Sequence, residues 1–276
     1  MNAIYPPLYS VMNNRFSQCC LLLSCLLGAT LPAKADELLV AVASNFIKPM
    51  QAISQQFTQA TGHQLKLAYG SSGKLMAQIS HGAPFDVFLS ADKHKVDYLL
   101  KAGLAKQGSE FIYAQGRLVL WSTQEGLVDT HGAVLKQDTF KHIALADAKL
   151  APYGQAAEQV LDKLNISEQI KARIVHGENI SQTYQFIQTG NAQLGFVALS
   201  QITHPQHPTT GSHWLIPSTY HQPIEQYAVQ LTRATGNKAA AAFSQFLKQD
   251  STYALIRAFG YDIPDNTLAK SYAKLR

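Results

Sequence analysis

The stretch LLVAVASNFIKPMQAISQQFTQATG, residues 38–62, contains a complete strand-turn-helix unit. Its first five residues, 38–42, are all apolar, which is typical of a buried strand. Apolar residues then recur at helical spacing from Phe46 to Phe57, and Gly62 ends the helix. An apolar strand that leads directly into an amphipathic helix predicts an α/β fold built of βαβ units.

The same alternation continues along the chain, with no internal repeat and no low-complexity linker. Further strands are predicted at 65–69, 86–89, 118–121, 143–145, 194–197 and 227–231. The later helices are predicted at 155–164 and 181–189, with two more at the end of the chain, the last capped by Ser251 and ended by Gly260. Two α/β halves without a long linker predict two lobes joined by short crossing strands.

We expect each lobe to be a mixed sheet flanked by helices, with the ligand in the cleft between the lobes. Lobe one is predicted to combine residues 36–116 and 224–276, and lobe two to span 117–223. The crossings are expected near 115–118 and 222–226.

The first 35 residues are predicted to be a secretory signal peptide. Arg15 precedes an apolar run at 21–27, and small residues follow at 33 and 35. The apolar run is too short to span a bilayer. An alternative interpretation is a lipoprotein signal, because the sequence that ends in Cys25 is similar to a lipobox. We therefore expect an exported, periplasmic protein, with lipid attachment at Cys25 as the alternative.

All cysteines, Cys19, Cys20 and Cys25, lie in the predicted leader. The mature chain would therefore have neither disulfides nor a thiol nucleophile. Without the leader the formal net charge falls from +5 to +3, with 21 basic against 18 acidic residues. This mild excess, without a Lys/Arg run, argues against a nucleic-acid partner.

Three predicted strand-to-helix turns contain small hydroxyl or glycine residues. They are Ser44-Asn45, the Gly-Ser-Ser-Gly segment at 70–73, and the Pro-Tyr-Gly-Gln segment at 152–155. A helix N-terminus offers free N–H groups and a partial positive charge, and it can therefore hold an anion. In α/β folds such turns gather at the carboxyl ends of the strands, where ligands bind. A serine at a helix start can equally be a simple cap.

From residue 36 onward the chain resembles the periplasmic molybdate-binding proteins of ABC importers. The matching strings are VAVAS (40–44), YGSSGKL (69–75), GAPFDVFLSAD (82–92), APYG (151–154), GENI (177–180), LGFVALS (194–200) and FGY (259–261). They occur in the family's order, and the string at 82–92 is the most specific of them. The resemblance implies the α/β, two-lobed fold of type II periplasmic binding proteins.

The resemblance implies which residues hold a tetrahedral oxyanion. Ser44 and Ser72 would contribute hydroxyl and amide donors from lobe one, and Tyr153 and Ile180 would contribute backbone N–H groups from lobe two. The family often has a tyrosine hydroxyl at the position that is Ala198 here.

Either one donor is missing at Ala198, or Ser200, Asn179 or Tyr153 replaces it. Lys74 is the cation next to these residues, and it could attract the anion or simply be a solvated lysine of the first helical turn.

By this resemblance the protein captures molybdate or tungstate and delivers it to an ABC importer, and its partners are a membrane permease and its ATPase. No cofactor is expected, and we expect a monomer. A protein for another small anion, such as sulfate or phosphate, would use the same type of site and is the first alternative.

A second alternative is metal binding by the four histidines His204, His207, His213 and His221, because imidazole is a common metal ligand. A polar loop is the simpler interpretation of this Pro- and Thr-rich segment. Catalysis is not expected: the chain contains no Gly-x-Ser-x-Gly elbow, P-loop or His-Glu-x-x-His motif. Asp86 and Asp92 are interpreted as a strand start and a helix cap.

Overall fold

The computed structural model describes Met1 and residues 36–263. The predicted signal peptide, its three cysteines and the lipid-attachment alternative at Cys25 lie outside the described residues. Among the residues that are described, no helix has the length and apolar character required to cross a membrane.

Lobe one is built on a mixed five-stranded sheet of order β2-β1-β3-β10-β4. Its strands are β1 (Glu37–Ala43), β2 (Gln64–Gly70), β3 (Val87–Ser90), β4 (Phe111–Gly116) and β10 (Ile224–Gln230). Strand β1 runs parallel to β2 and β3, whereas β10 is antiparallel to β3 and β4. The parallel strands end together, and Ala43 pairs with Gly70 at that edge.

Lobe two repeats the arrangement with the order β7-β6-β8-β5-β9. Its strands are β5 (Leu118–Ser122), β6 (Ile143–Ala146), β7 (Ile174–Gly177), β8 (Leu194–Ala198) and β9 (Ser212–Leu215). Strand β6 is parallel to β7 and β8, and β5 is antiparallel to β8 and β9.

Amphipathic helices cover the sheets. They are α1 (Ile47–Thr61), α2 (Ser72–Ser80), α3 (Lys93–Lys101), α4 (Pro152–Lys163), α5 (Ser167–Ile170), α6 (Ile180–Gln188), α7 (Leu199–Ile202), α8 (Lys238–Phe246) and α9 (Asp250–Ala258). Helix α1 buries Met50, Ile53 and Phe57 completely, as its spacing predicts. The rings of Phe57 and Phe243 pack edge to face across the core of lobe one.

The chain crosses from lobe one to lobe two at a single residue, Arg117, which lies between β4 and β5. It returns between Leu215 and Ile224, where β10 begins. Two sheets joined in this way, each flanked by helices, confirm the predicted α/β fold class.

Two sequence-based predictions need correction. Helix α9 begins at Asp250 after the N-cap residue Gln249, so Ser251 lies inside the first turn and is not the cap. The histidine-rich segment, predicted to be a polar loop, contains β9 and places His213 on it. Strand β9 has four residues at the edge of its sheet, which is too short for an alternating pattern to be recognised.

Candidate functional site

A small cavity lies where the carboxyl ends of β1 and β2 in lobe one face the starts of α4 and α6 in lobe two. Its lining residues come from both lobes: Ala43, Ser44, Asn45, Gly70, Ser71, Ser72, Ala91, Ala151, Pro152, Tyr153 and Ile180. The volume of this cavity is about 10 Å³. Pockets for drug-sized ligands occupy roughly 300–1,000 Å³, so this site suits only a very small ligand.

Ser44 begins a single 3-10 turn, Ser44–Phe46, that connects β1 to α1. Its side chain is 5 % exposed, and its hydroxyl has no hydrogen-bond partner within residues 36–263. The oxygen of this hydroxyl is not completely buried, so it retains access to open space at the cavity wall. The free hydroxyl of Ser44 in the cavity wall is therefore a candidate ligand donor.

The two serines that follow β2 both accept a hydrogen bond from a backbone N–H. Ser71 is the N-cap of α2, and its Oγ accepts a hydrogen bond from the N–H of Lys74 at 3.4 Å. Ser72 Oγ accepts from the N–H of Ala91 at 2.9 Å. Because this bond uses only the acceptor side of the Ser72 hydroxyl, its proton remains available to a ligand. Both hydroxyls thus accept one backbone hydrogen bond and line the cavity, and Ser71 in addition caps α2.

Lobe two faces the cavity with the first turns of two helices. Tyr153 is the second residue of α4, and Ile180 is the first residue of α6, which is capped by the side chain of Asn179. N–H groups in a first helical turn have no helical carbonyl to bond with. They point out of the helix end and carry its partial positive charge. The arrangement is that of an anion site.

The lining residues include no carboxylate, lysine, arginine or histidine among those that the structure describes. Tyr153 is the one titratable residue in the wall, and its burial, together with the nearby Tyr261 and Tyr113, raises the pKa of its phenol well above the ordinary value. The tyrosine is therefore neutral at neutral pH. An anion in this cavity would be held by neutral donors alone.

Ala198 is not among the cavity-lining residues. It is fully buried at the end of β8, and its N–H donates to Oε1 of Gln201 at 2.9 Å. The sequence therefore placed four of its five candidate residues around one cavity: Ser44, Ser72, Tyr153 and Ile180.

The three residues considered as replacements for the tyrosine donor are used elsewhere. Ser200 Oγ donates to the carbonyl of Asn45 at 2.8 Å, and Asn179 Oδ1 accepts from two N–H groups of α6. The phenol oxygen of Tyr153 lies against Gly116, where even a Cβ atom would collide with it. The hydroxyls of Ser200 and Tyr153 are thus turned away from the cavity, and Asn179 uses its amide oxygen to cap α6.

The lobes meet around the cavity. Gly73 donates its N–H to the carbonyl of Leu150 at 2.9 Å, and Lys74 Nζ pairs with Glu178 Oε1 at 2.5 Å. Both contacts join α2 of lobe one to lobe two. The cation that the sequence left without a partner is thus neutralised by a carboxylate across the cleft.

Sequence reasoning missed a buried polar cluster behind the Ser44 turn. Asn45 Nδ2 donates to Gln226 Oε1 at 2.8 Å and to the phenol oxygen of Tyr261 at 2.9 Å. These partners lie 181 and 216 residues away in the chain, so spacing could not connect them. Asn45 lies in a turn that the sequence identified, and its amide next to Ser44 was the only available signal.

The other candidate chemistries find no support in the described residues. Within residues 36–263 no group of three or more His, Cys, Asp or Glu side chains could hold a metal ion. His204 and His207 lie together, with ring centroids 4.6 Å apart. Asp86 accepts from the N–H of Leu39, and Asp92 caps α3, so neither carboxylate is part of a reactive pair.

Comparisons with known proteins show the family of this chain. The family model described as "Bacterial extracellular solute-binding protein" matches residues 38–262. The molybdate-binding protein ModA of Azotobacter vinelandii is 48 % identical over 231 residues, which cover 84 % of this chain and 92 % of the relative. The ModA protein of Rhodobacter capsulatus is 45 % identical over 239 residues, covering 87 % and 93 %.

A solved structure is similar as well. The periplasmic molybdate-binding protein of Azotobacter vinelandii superposes with a TM-score of 0.80 at 42 % sequence identity, covering 83 % of this chain and all of that one.

Proposed function

The chain belongs to the bacterial extracellular solute-binding proteins and, among them, to the molybdate-binding proteins, and we propose on that premise that its interlobe cavity captures molybdate for an ABC importer. The observation that carries the proposal is the small cavity in which both lobes present hydroxyl and first-turn N–H donors and no charged group. Ser44, Ser72, Tyr153 and Ile180 are the proposed ligand residues.

The donor set favours a fully ionised oxyanion. A dianion can be stable among neutral donors when every oxygen is hydrogen-bonded and water is excluded. A protonated oxyanion such as hydrogen phosphate would bring an O–H group for which the wall offers no carboxylate acceptor. Sulfate is distinguished from molybdate mainly by size, since both present four acceptor oxygens to the same donors.

Closure of the two lobes is part of the proposal. Neither lobe alone surrounds the cavity, so the ligand gains its full set of donors only when the lobes meet. A ligand that binds the closed form better shifts the population towards it. The closed shape is then the form that a permease and its ATPase would recognise. We propose a periplasmic monomer with lobes at 36–116 plus 224–276 and at 117–223, and no catalytic activity.

Isothermal titration calorimetry of the chain from Asp36 onward, with molybdate, tungstate, sulfate and phosphate, tests this function. We expect one-to-one binding of molybdate or tungstate and no heat from sulfate or phosphate. Binding of sulfate or phosphate without molybdate would reassign the ligand. No binding of any of the four anions would contradict the proposed function.

A further inference from the structure

Two serine hydroxyls of lobe two donate to consecutive backbone carbonyls of the Ser44–Phe46 turn in lobe one. Ser181 Oγ donates to the carbonyl of Ser44 at 3.1 Å. Ser200 Oγ donates to the carbonyl of Asn45 at 2.8 Å. Ser181 is in α6 and Ser200 in α7, and each helix follows a strand of the second sheet. The Ser44–Phe46 turn, which contributes Ser44 and Asn45 to the cavity wall, thus accepts two hydrogen bonds from lobe two.

Holding these carbonyls fixes the N–H groups that follow them. A peptide unit is planar and trans, so its C=O and N–H point in opposite directions. The carbonyl of Ser44 shares its peptide unit with the N–H of Asn45, and Asn45 is one of the residues that line the cavity. A hydrogen bond accepted by the carbonyl also polarises the peptide and makes its N–H a better donor.

The side chain of Asn45 cannot serve the ligand in the same way. Both of its amide hydrogens are used by Gln226 and Tyr261. The backbone N–H of Asn45 is therefore the donor that this residue can offer to an anion. Its direction depends on the carbonyl of Ser44, and hence on Ser181.

The contact of Ser200 is buried on all sides. Ser200 is 2 % exposed, and its partners Asn45 and Tyr261 are each 3 % exposed. Tyr261 donates to the same carbonyl of Asn45 at 2.8 Å and lies 3.0 Å from the hydroxyl of Ser200. Opening the cleft would break the bond from Ser200 and leave the bond from Tyr261 in place, because Tyr261 packs in the core of lobe one.

We propose that Ser181 and Ser200 are positioning residues that form a two-hydroxyl clasp, made only when the lobes close, which orients the Ser44–Phe46 turn towards the bound oxyanion. The inference rests on the proposed function. In this arrangement lobe two acts on the site through the backbone of lobe one as well as through the first turns of α4 and α6.

The clasp is tested with Ser181→Ala, Ser200→Ala and the double variant in the chain from Asp36 onward. We expect each single change to raise the Kd for molybdate about three- to tenfold, and the double change to raise it more, because each removes one hydrogen bond of the closed state. Release of radiolabelled molybdate during a chase with unlabelled molybdate should accelerate by the same factors. The association rate should stay unchanged, because the clasp forms after the ligand enters.

Ser244→Ala is the matched control. Ser244 Oγ also donates to a backbone carbonyl, that of Ala240 at 2.9 Å, but inside α8 and not across the cleft. This variant should release molybdate at the wild-type rate. The midpoint of thermal unfolding without ligand should be unchanged in the clasp variants, since the open form lacks the clasp.

Three results would overturn the inference. If the wild type binds molybdate and the double variant releases it at the same rate, the clasp is wrong and the proposed function stands. If the clasp variants lose affinity only in proportion to a lower unfolding midpoint without ligand, the serines are merely structural. If the wild type binds none of the oxyanions, the proposed function fails and the clasp fails with it.

Discussion

The role of Ser72 follows from its hydrogen bond with the N–H of Ala91 and from its position in the cavity wall. Its oxygen accepts from that N–H, which leaves its proton for a ligand. Ser44 has its hydroxyl free altogether within the described part of the chain. Through these two hydroxyls lobe one can donate hydrogen bonds to a dianion and stabilise it without a cation.

Replacing either serine by alanine should weaken binding. We expect Ser44→Ala and Ser72→Ala each to cost about 1–3 kcal/mol of molybdate binding, because one charged oxygen loses a donor. Calorimetric titration gives the change in Kd. Ser80→Ala is the control: Ser80 lies in the same helix α2, but its Oγ donates to the carbonyl of Met76 at 2.9 Å and it does not line the cavity, so the affinity should stay unchanged. Full-strength binding by both Ser44→Ala and Ser72→Ala would refute the assignment of the site.

The phenol group of Tyr113 is completely buried in the core of lobe one. Its phenol oxygen has no hydrogen-bond partner among the described residues, and its ring packs on Phe46 with centroids 4.9 Å apart. Burial, and after it the neighbouring Tyr261, raises the pKa of Tyr113 well above its usual 10.0. Above about pH 10 the unfolded chain loses this proton while the folded chain keeps it, so stability falls as the pH rises.

Tyr113→Phe should therefore stabilise the protein by about 1 kcal/mol at pH 7. The gain should grow above pH 10, because the variant lacks this ionisable group. Urea unfolding at pH 7 and pH 10.5 measures both values, and the exposed Tyr98→Phe serves as a control with no expected effect. A Tyr113→Phe variant less stable than the wild type would mean that the hydroxyl has a stabilising partner.

At the scale of secondary structure, the end of β4 and the start of α4 depend on each other. Gly116 ends β4 at the crossing between the lobes, and the phenol of Tyr153 occupies the space that a side chain there would need. Tyr153 is 1 % exposed, so its ring has no free volume into which it could move. The crossing at Gly116 and the first turn of α4, which faces the cavity, are thus packed tightly against each other.

Gly116→Ala should consequently destabilise the protein by about 1–3 kcal/mol through overpacking. It should also weaken molybdate binding, since a displaced Tyr153 would shift the first turn of α4. Combining Gly116→Ala with Tyr153→Phe removes the colliding oxygen, and the pair should recover part of the stability in a double-mutant cycle. Additive losses in the cycle would show that the two residues do not interact.

Sequence reasoning recovered the interior strands and missed three of the four that close the edges. Strands β1, β3, β6 and β8 are apolar runs because helices cover both of their faces. Strands β4, β7 and β9 lie at sheet edges, where partly exposed and polar residues interrupt the pattern. A short edge strand carries too few residues for its period to be distinguished from a loop. Which strand lies at the edge is decided only when the strands assemble into the sheet.

On the scale of the whole molecule, charged residues are absent from the described wall of the cavity and occur at the rim of the cleft. Lys74 and Glu178 form an ion pair between the lobes, and their side chains remain 51 % and 43 % exposed. The pair leaves the cavity neutral and adds one contact to the closed form. Such an exposed pair contributes little by itself, but each partner lies beside a site for a dianion.

Lys74→Met should raise the Kd for molybdate, because it removes the contact and leaves the carboxylate of Glu178 uncompensated near the anion. We expect roughly a two- to tenfold effect at low salt that shrinks at 0.5 M salt, where exposed charges are screened. Titrations at both salt concentrations measure it. Lys66→Met is the control, because Lys66 pairs with Glu37 at the opposite end of β1 with similar exposure. Equal affinity of Lys74→Met and Lys66→Met at low salt would refute a role for the rim pair.

The sequence predicts only part of the candidate site, because some of its contacts form between residues that are distant in the chain. Strand-to-helix turns with serine and glycine point to an anion site because the chemistry is local. Which hydroxyl stays free depends on Ala91, and which carbonyls are held depends on Ser181 and Ser200 in the other lobe. The contact of Ser72 with Ala91 spans 19 positions within lobe one, whereas those of Ser181 and Ser200 span 137 and 155 positions and exist only after the two lobes have assembled.

The most direct test of the central claim is a crystal of the chain grown with tungstate, with diffraction data collected at the tungsten absorption edge. One strong anomalous peak is expected in the interlobe cavity, with its oxygens within hydrogen-bond distance of the hydroxyls of Ser44 and Ser72 and the N–H groups of Tyr153 and Ile180. A peak elsewhere, for example beside His204 and His207, would contradict the account.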